Sequence, residues 1–194
     1  MESSSAFRRA FHIVSPIFLG YYLLPEDLGG GISRTAATFL FLGTAACVEI
    51  ARIALGIRLF GMRPYEGQRV SAYAQGALGL AFGLFVIQDL RIVVPVFLGM
   101  AWIDPLAAFC RKRGWSRVVP TVGYFGLFLG TVLLMKAFSL SNALLFSTAA
   151  CAAAMLMEGP KIPQVDDDLL MQVVPMVVMY YLLAGFGTGL PMSL

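Results

Sequence analysis

Charged side chains are scarce in this sequence. Only 13% of its 194 residues are Asp, Glu, Lys or Arg, whereas 59% are hydrophobic and the mean hydropathy is +0.80. Soluble domains carry about 25% charged residues, so this chain has too few polar side chains to cover a surface in water. The composition excludes a soluble globular protein and predicts an integral membrane protein, which we expect to form a single domain over residues 1–194.

Cysteine and histidine are also rare. The three cysteines, Cys47, Cys110 and Cys151, lie in apolar stretches, lack Cys-x-x-Cys spacing and cannot all pair with one another. This pattern argues against a disulfide framework and against a zinc cluster. No serine, cysteine or histidine stands in an arrangement typical of a catalytic nucleophile. No basic and aromatic patch lies outside the apolar stretches, so nucleic acid is not an expected partner.

Seven apolar stretches reach or approach the ~20 residues that a helix needs to cross a bilayer. They cover residues 11–24, 35–60, 70–88, 92–110, 118–137, 141–157 and 169–186. Extended backbone cannot face lipid, and barrel strands would alternate in polarity, so these stretches predict helices. The first stretch lacks a small-x-small cleavage site and is expected to be a span, not a signal peptide. The predicted fold class is an all-α, polytopic membrane bundle of about seven transmembrane helices.

Lysine and arginine predict the orientation of this bundle. With seven spans, ten of the fourteen basic residues fall on the side of the N-terminus and three on the other side, while Arg52 lies inside a span. The ten are Arg8, Arg9, Arg58, Arg63, Arg69, Arg111, Lys112, Arg113, Arg117 and Lys161. Because short cytoplasmic loops carry an excess of basic residues, we expect a multi-pass protein with a cytoplasmic N-terminus and an outward C-terminus.

The carboxylates show the same asymmetry, which the positive-inside rule does not require. Seven of the eleven acidic residues fall on the cytoplasmic side, namely Glu2, Glu66, Asp104, Glu158, Asp166, Asp167 and Asp168. Hard cations take oxygen ligands, and phosphates take guanidinium groups. Carboxylates and arginines on one face therefore predict a site for a nucleotide with Mg²⁺ at the cytoplasmic side.

Two charged residues lie inside the second span. Glu49 and Arg52 are three positions apart on one helix face and are expected to pair. A charge buried alone in the membrane costs at least ~2.5–3.5 kcal/mol. Two interpretations stay open: a structural ion pair that locks two helices, or the wall of a polar cavity open to the cytoplasm. We favour the second.

Asp104 is a candidate metal ligand near the end of the fourth span. Pro105 follows it directly and is expected to kink or break the helix. A candidate phosphate clamp comes within nine residues, formed by Arg111, Lys112 and Arg113. Such a triplet is also typical of a plain cytoplasmic anchor. An unpaired buried aspartate is expensive, so a functional role is the favoured interpretation of Asp104.

A further acidic cluster precedes the last span. Glu158 is followed by the run Asp166, Asp167 and Asp168. An acidic run can cap the N-terminus of a helix. Three adjacent carboxylates repel one another, however, so a bound cation or an arginine cluster is the favoured compensation.

Four segments, taken in order, resemble the CTP-dependent lipid-alcohol kinases, namely dolichol kinase, phytol kinase and the CTP-using diacylglycerol kinase, which are related to the CDP-lipid cytidylyltransferases. The segments are Arg8-Arg9-Ala10-Phe11-His12, Glu49-Ile50-Ala51-Arg52, Asp104-Pro105-Leu106-Ala107-Ala108 with Arg111-Lys112-Arg113-Gly114, and Glu158 with Val165-Asp166-Asp167-Asp168-Leu169-Leu170. They are similar to the family's basic pair with histidine, its Glu-x-x-Arg, its Gly-Asp-x-x-Ala segment and its final acidic signature. Ile103 stands where the family has the glycine.

This resemblance implies a kinase that transfers the terminal phosphoryl group of CTP, with Mg²⁺, to the hydroxyl of a membrane lipid alcohol. Polyprenol, dolichol, phytol, geranylgeraniol and a glyceride are the expected substrates. The expected metal ligands are Asp104, Glu158, Asp166, Asp167 and Asp168. The expected nucleotide-binding residues are Arg8, Arg9, Glu49, Arg52, Arg111, Lys112 and Arg113. The expected catalytic residues are Asp104, Asp167 and His12, one of which accepts the hydroxyl proton.

Two alternatives remain from the sequence. A CDP-lipid-forming cytidylyltransferase would use the same nucleotide but release pyrophosphate in place of a nucleoside diphosphate. A small transporter or scaffold without enzymatic activity is the other, although only Glu49 and Arg52 interrupt the spans deeply. Expected partners are a nucleoside triphosphate, the lipid alcohol and the surrounding membrane lipids. The oligomeric state stays open, a homo-oligomer included.

Overall fold

The structure is a computed structural model that describes residues 2–158, 162 and 165–185, with the side chains of residues 2–5, 64 and 65 excepted. Within those residues it is helical and contains no β-strand, so the prediction of an all-α fold is confirmed. Seven α-helices are present in the described chain: α1 Glu2–Val14, α2 Arg34–Ala54, α3 Ala72–Phe82, α4 Leu90–Arg113, α5 Val118–Leu134, α6 Leu140–Met157 and α7 Asp167–Gly185. Short 3-10 segments cover Ser15–Leu23 and Pro64–Gln68, and π-helical turns cover Gly83–Ile87.

Four of these helices, α2, α4, α6 and α7, are long and apolar enough to cross a membrane. The segment Ala72–Ile87 and helix α5 are apolar but shorter. Length and composition are therefore compatible with a membrane protein. The count of seven spans and the orientation of the bundle stay predictions.

Local signals explain where the long helices begin and end. Ser33 caps α2, since its side chain accepts a hydrogen bond from Ala36 N, and Asp89 caps α4 in the same way through Arg91 N. Such caps satisfy backbone donors that have no partner inside the helix. At the other end of α4, Gly114 takes a left-handed conformation with φ 66°, which closes the helix at low cost.

Three features differ from the sequence predictions. The first apolar stretch is not one α-helix, because α1 ends at Val14 and tighter 3-10 turns continue past Pro16. The second span was predicted to reach residue 60, but α2 ends at Ala54 because Gly56 turns the chain with φ 65°. Pro105 was predicted to kink or break α4, and the break is wrong, since α4 continues through Pro105 to Arg113. Residue 186, the predicted end of the last span, lies outside the described residues.

The chain divides into two compact units, residues 1–77 and residues 78–194. In the second unit α4 packs on α5, α5 on α6, α6 on α7, and α7 returns to α4. This closed order makes a four-helix bundle. Its core is formed by fully buried side chains, among them Tyr124, Phe128, Phe146 and Met171.

Glycine allows the closest helix approach within this bundle. A Cβ at Gly99 of α4 would lie 2.5 Å from the ring of Tyr124 in α5. No real Cβ tolerates that distance, so the ring lies directly on the α4 backbone. Small residues at such contacts are typical of helix pairs in membranes, where close packing takes the place of the hydrophobic effect.

Candidate functional site

Two aspartates that are 64 positions apart in the sequence come together in the second unit. Asp104 projects from α4, and Asp168 is in the first turn of α7. A carboxylate oxygen of Asp104 lies within 4.8 Å of one of Asp168. Both residues are buried, with 8% of Asp104 and 1% of Asp168 exposed. The packing of α4 against α7 therefore brings together two of the residues that the sequence singled out.

Ionised carboxylates this close together repel each other. A positively charged neighbour or a bound cation can compensate. Mg²⁺ binds carboxylate oxygens at about 2.0–2.1 Å, so two ligands of one ion lie at most about 4.2 Å apart. The Asp104 and Asp168 oxygens lie within 4.8 Å of each other, close to this limit, so the pair is a candidate ligand set for a small, hard cation.

The three aspartates at the start of α7 have different roles in the structure. Asp166 lies just before the helix, and its Oδ1 accepts a hydrogen bond from Asp168 N at 3.3 Å. This is the geometry of an N-cap. Carboxylate oxygens of Asp166, Asp167 and Asp168 also lie within 4.8 Å of one another. The run thus caps the helix, as the simpler sequence interpretation held, and also places Asp168 close to Asp104.

Glu158 and Arg111 form an ion pair with each other. Glu158 follows the last residue of α6, and Arg111 lies in the last turn of α4. The glutamate side chain is 6% exposed and the arginine side chain 44%. The C-terminal ends of α4 and α6 are therefore adjacent. In this arrangement the predicted metal ligand Glu158 neutralises the predicted phosphate ligand Arg111.

The other two basic residues of the triplet lie on the surface. Lys112 is exposed at the end of α4, and the guanidinium carbon of Arg113 lies 4.9 Å from the centre of the Phe109 ring. Cations in the last turn of a helix are favoured by its dipole. Lys112 and Arg113 thus supply exposed positive charge at the end of α4, three turns or less beyond Asp104.

In the first unit, Glu49 and Arg52 form the predicted pair. Arg52 Nε and Nη2 donate to the two carboxylate oxygens of Glu49 at 2.8 and 2.7 Å. The remaining donors reach backbone carbonyl oxygens that belong to Ile57, Glu66 and Arg69. A guanidinium group has five N–H donors, so all of them are used.

The same pair also holds the chain that follows α2. Glu49 Oε1 accepts a hydrogen bond from Ser71 N at 2.6 Å, and the carbonyl oxygens bound by Arg52 belong to the loop between α2 and α3. This geometry favours the structural interpretation of Glu49 and Arg52. Arg52 has no donor left for a phosphate, so its predicted role in nucleotide binding has no support in these contacts.

The other predicted residues of the first unit lie on α1. Arg8 Nη1 is 3.8 Å from Glu66 Oε1, and Arg9 is half-buried. His12 is buried, and its carbonyl oxygen accepts a hydrogen bond from Ser15 Oγ at 2.8 Å. Arg8 thus faces a carboxylate, and His12 lies at the point where α1 passes into 3-10 turns.

Sequence reasoning only counted Glu66 among the cytoplasmic carboxylates and gave no role to Gln172, and both are buried polar residues. Glu66 Oε2 accepts from Arg63 N, a capping-box contact signalled by a polar residue three positions before the glutamate. Gln172 is fully buried in α7. The sequence does single out Gln172 by its position, because it is the one amide in the last apolar run and follows Asp168 by four residues.

Comparison of the chain with family models, with curated proteins and with solved structures finds no match. The resemblance to the CTP-dependent lipid-alcohol kinases therefore rests on the four sequence segments alone.

Proposed function

We propose that this protein is a multi-pass membrane kinase, with a cytoplasmic N-terminus and cytoplasmic site, that transfers the terminal phosphoryl group of CTP to a membrane lipid alcohol with Mg²⁺. The observation that supports it most is the approach of Asp104 and Asp168 to within 4.8 Å on two packed helices. The choice of CTP and of a lipid alcohol rests on the sequence resemblance.

Phosphoryl transfer suits a site of this composition. The reaction is mostly a matter of positioning and of neutralising charge on the transferred group. Asp104 and Asp168 would hold the cation, with Asp167 beside them. A bound Mg²⁺ supplies the positive charge that offsets the phosphate oxygens. Asp166 keeps its role as the helix cap.

The basic residues would hold the phosphates from one side. Lys112 and Arg113 are exposed at the end of α4 and are available to an incoming polyphosphate. Arg111 would exchange its ion pair with Glu158 for a phosphate when nucleotide arrives. Nucleotide binding by Arg8 and Arg9 rests on the sequence resemblance alone, as does the role of Asp167 or His12 in accepting the hydroxyl proton.

The substrate's apolar tail needs no enclosed pocket. Large apolar side chains are exposed along the helices, including Leu134, Leu156 and Tyr181. In a membrane these faces contact lipid, where the tail of a lipid alcohol already lies. The hydroxyl group then needs to reach only the end of the bundle where Asp104 and Asp168 meet.

The direct test is a transfer assay with purified protein in lipid vesicles. The protein receives Mg²⁺, CTP labelled at the γ-phosphate and, one at a time, a polyprenol, a dolichol, phytol and a diacylglycerol. We expect labelled lipid phosphate and CDP from one of them. Asp104→Asn and Asp168→Asn each remove the negative charge of a cation ligand and should lower the rate at least about 100-fold.

Asp27→Asn is the matched control. Asp27 is exposed, and its Oδ1 accepts from Gly29 N, a contact that asparagine can also make. This variant should keep the wild-type rate. Transfer by Asp104→Asn at the wild-type rate would refute the assignment of the site. A parallel assay replaces the alcohol with a lipid phosphate; release of pyrophosphate with a CDP-lipid product there would identify a cytidylyltransferase instead.

A further inference from the structure

Gln172 lies one helical turn after Asp168 in α7 and packs against the backbone of Gly79, which has no side chain. A Cβ at Gly79 would lie 2.8–2.9 Å from Cδ, Nε2 and Oε1 of Gln172. Because these three distances are nearly equal, the amide lies flat on the glycine. No side chain other than hydrogen fits at residue 79 while the amide keeps this place.

The Gln172 amide is also hydrogen-bonded to Asp168, one of the two aspartates of the candidate cation site. Gln172 Nε2 donates to the carbonyl oxygen of Asp168 at 3.0 Å. Asp168 is one helical turn earlier on the same face of α7. The hydrogen bond therefore fixes the backbone from which the Asp168 carboxylate projects toward Asp104.

A second glycine, four residues after Gly79, makes a similar close contact with α7. A Cβ at Gly83 would meet Met176 Cε and Val93 Cγ1 at 3.0 Å. Gly79 and Gly83 are four residues apart, as are Gln172 and Met176, so two successive turns of each segment meet. Such small-xxx-small spacing brings helix backbones close together in membranes. Only the first of the two contacts involves an amide and Asp168.

An amide buried in an apolar helix costs free energy unless it is hydrogen-bonded, and a leucine or methionine would fill the same space without that cost. From these contacts we infer that Gln172, held in place by Gly79, is a positioning residue that sets the Asp168 carboxylate for cation binding. The inference rests on the proposed function. It adds two residues that touch neither nucleotide nor lipid.

The test measures binding of Mn²⁺, as a substitute for Mg²⁺, by electron paramagnetic resonance on the purified full-length protein. Gln172→Met keeps the length of the side chain and removes the hydrogen bond to Asp168. Gly79→Ala displaces the amide. Each variant should raise the dissociation constant for Mn²⁺ about 10-fold or more, the usual effect of losing a residue that orients a metal ligand. In the transfer assay the Mg²⁺ requirement should rise while KM for CTP stays unchanged.

Two controls separate positioning from packing. Gly126→Ala adds a methyl group to α5 at a site with nothing within 4 Å. Gly83→Ala disturbs the same contact between segments without touching the amide. Both should bind Mn²⁺ within about twofold of the wild type. Gln172→Met with wild-type affinity, or Gly83→Ala with an equal loss, would overturn the inference.

A wild type that binds no Mn²⁺ would instead overturn the proposed function. Hydrogen exchange of the first two turns of α7 then decides the inference about Gln172. Faster exchange in Gln172→Met than in the wild type supports the anchoring of Asp168, and equal exchange refutes it.

Discussion

At the scale of single residues, Arg52 shows what a sequence can and cannot indicate. Its pairing with Glu49 followed from their spacing and from the cost of a buried charge. The three backbone carbonyl oxygens that Arg52 also binds belong to Ile57, Glu66 and Arg69. No pattern of side chains marks a carbonyl acceptor, so this part of the contact could not be predicted. It changes the favoured role of Arg52 from ligand binding to holding a loop.

Arg52→Met should therefore destabilise the protein while leaving nucleotide affinity unchanged in the folded fraction. The substitution leaves Glu49 without its cation and three carbonyl oxygens without their donor. Removing one partner of a buried ion pair costs about 3–5 kcal/mol, and the free energy of unfolding in detergent should fall by that amount. Arg58→Met, in the same loop but exposed, should change it by less than about 0.5 kcal/mol. An Arg52→Met protein of normal stability that no longer binds CTP would show that the structural assignment is mistaken.

At the scale of helices, apolar runs located α2 to α7, whereas the first run, residues 11–24, overlaps α1 only at residues 11–14 and otherwise covers 3-10 turns. The errors occurred where backbone conformation rather than hydropathy decides the outcome. Gly56 ends α2 early although the following residues are apolar. Pro105 does not end α4, because the loss of one backbone donor is tolerated in an apolar helix that packs against its neighbours. Hydropathy therefore predicts where a long helix lies better than it predicts the residues at which the helix begins and ends.

The start of α7 offers a test at this scale. Asp166→Ala should lower the free energy of unfolding by about 1 kcal/mol, since the cap to Asp168 N is lost. Asp166→Asn should leave both stability and transfer activity close to the wild type, because asparagine caps as well as aspartate. Unfolding in detergent and the labelled-CTP assay measure the two properties. If Asp166→Asn is stable but inactive, Asp166 is a metal ligand and not merely a cap.

At the scale of the whole molecule, the orientation in the membrane is a prediction of the positive-inside rule. Lys112 and Lys136 lie near opposite ends of α5, a helix of 17 residues and therefore about 25 Å long. We expect Lys112 to face the cytoplasm and Lys136 the outside. Single cysteines at these positions, in a Cys47→Ser background that removes the exposed native thiol, should react with an impermeant maleimide from opposite sides of sealed vesicles. Labelling of both from the same side would contradict the topology.

The meeting of Asp104 and Asp168 also belongs to the whole molecule. The sequence marked Asp104 as expensive to bury and Asp168 as one of three adjacent carboxylates that repel one another, yet their approach depends on α7 packing against α4. That contact closes the four-helix bundle and joins residues far apart in the chain. Local patterns carry no information about it. The resemblance to a kinase family implied the pairing, and the bundle gives it a physical basis.

Mn²⁺ binding to the wild type, Asp104→Asn and Asp168→Asn tests the central claim most directly, because it asks whether the two carboxylates hold one ion. We predict one Mn²⁺ per chain in the wild type and in Asp27→Asn. Each of the two site variants should bind at least about 10-fold more weakly. Wild-type affinity in both Asp104→Asn and Asp168→Asn would contradict the account.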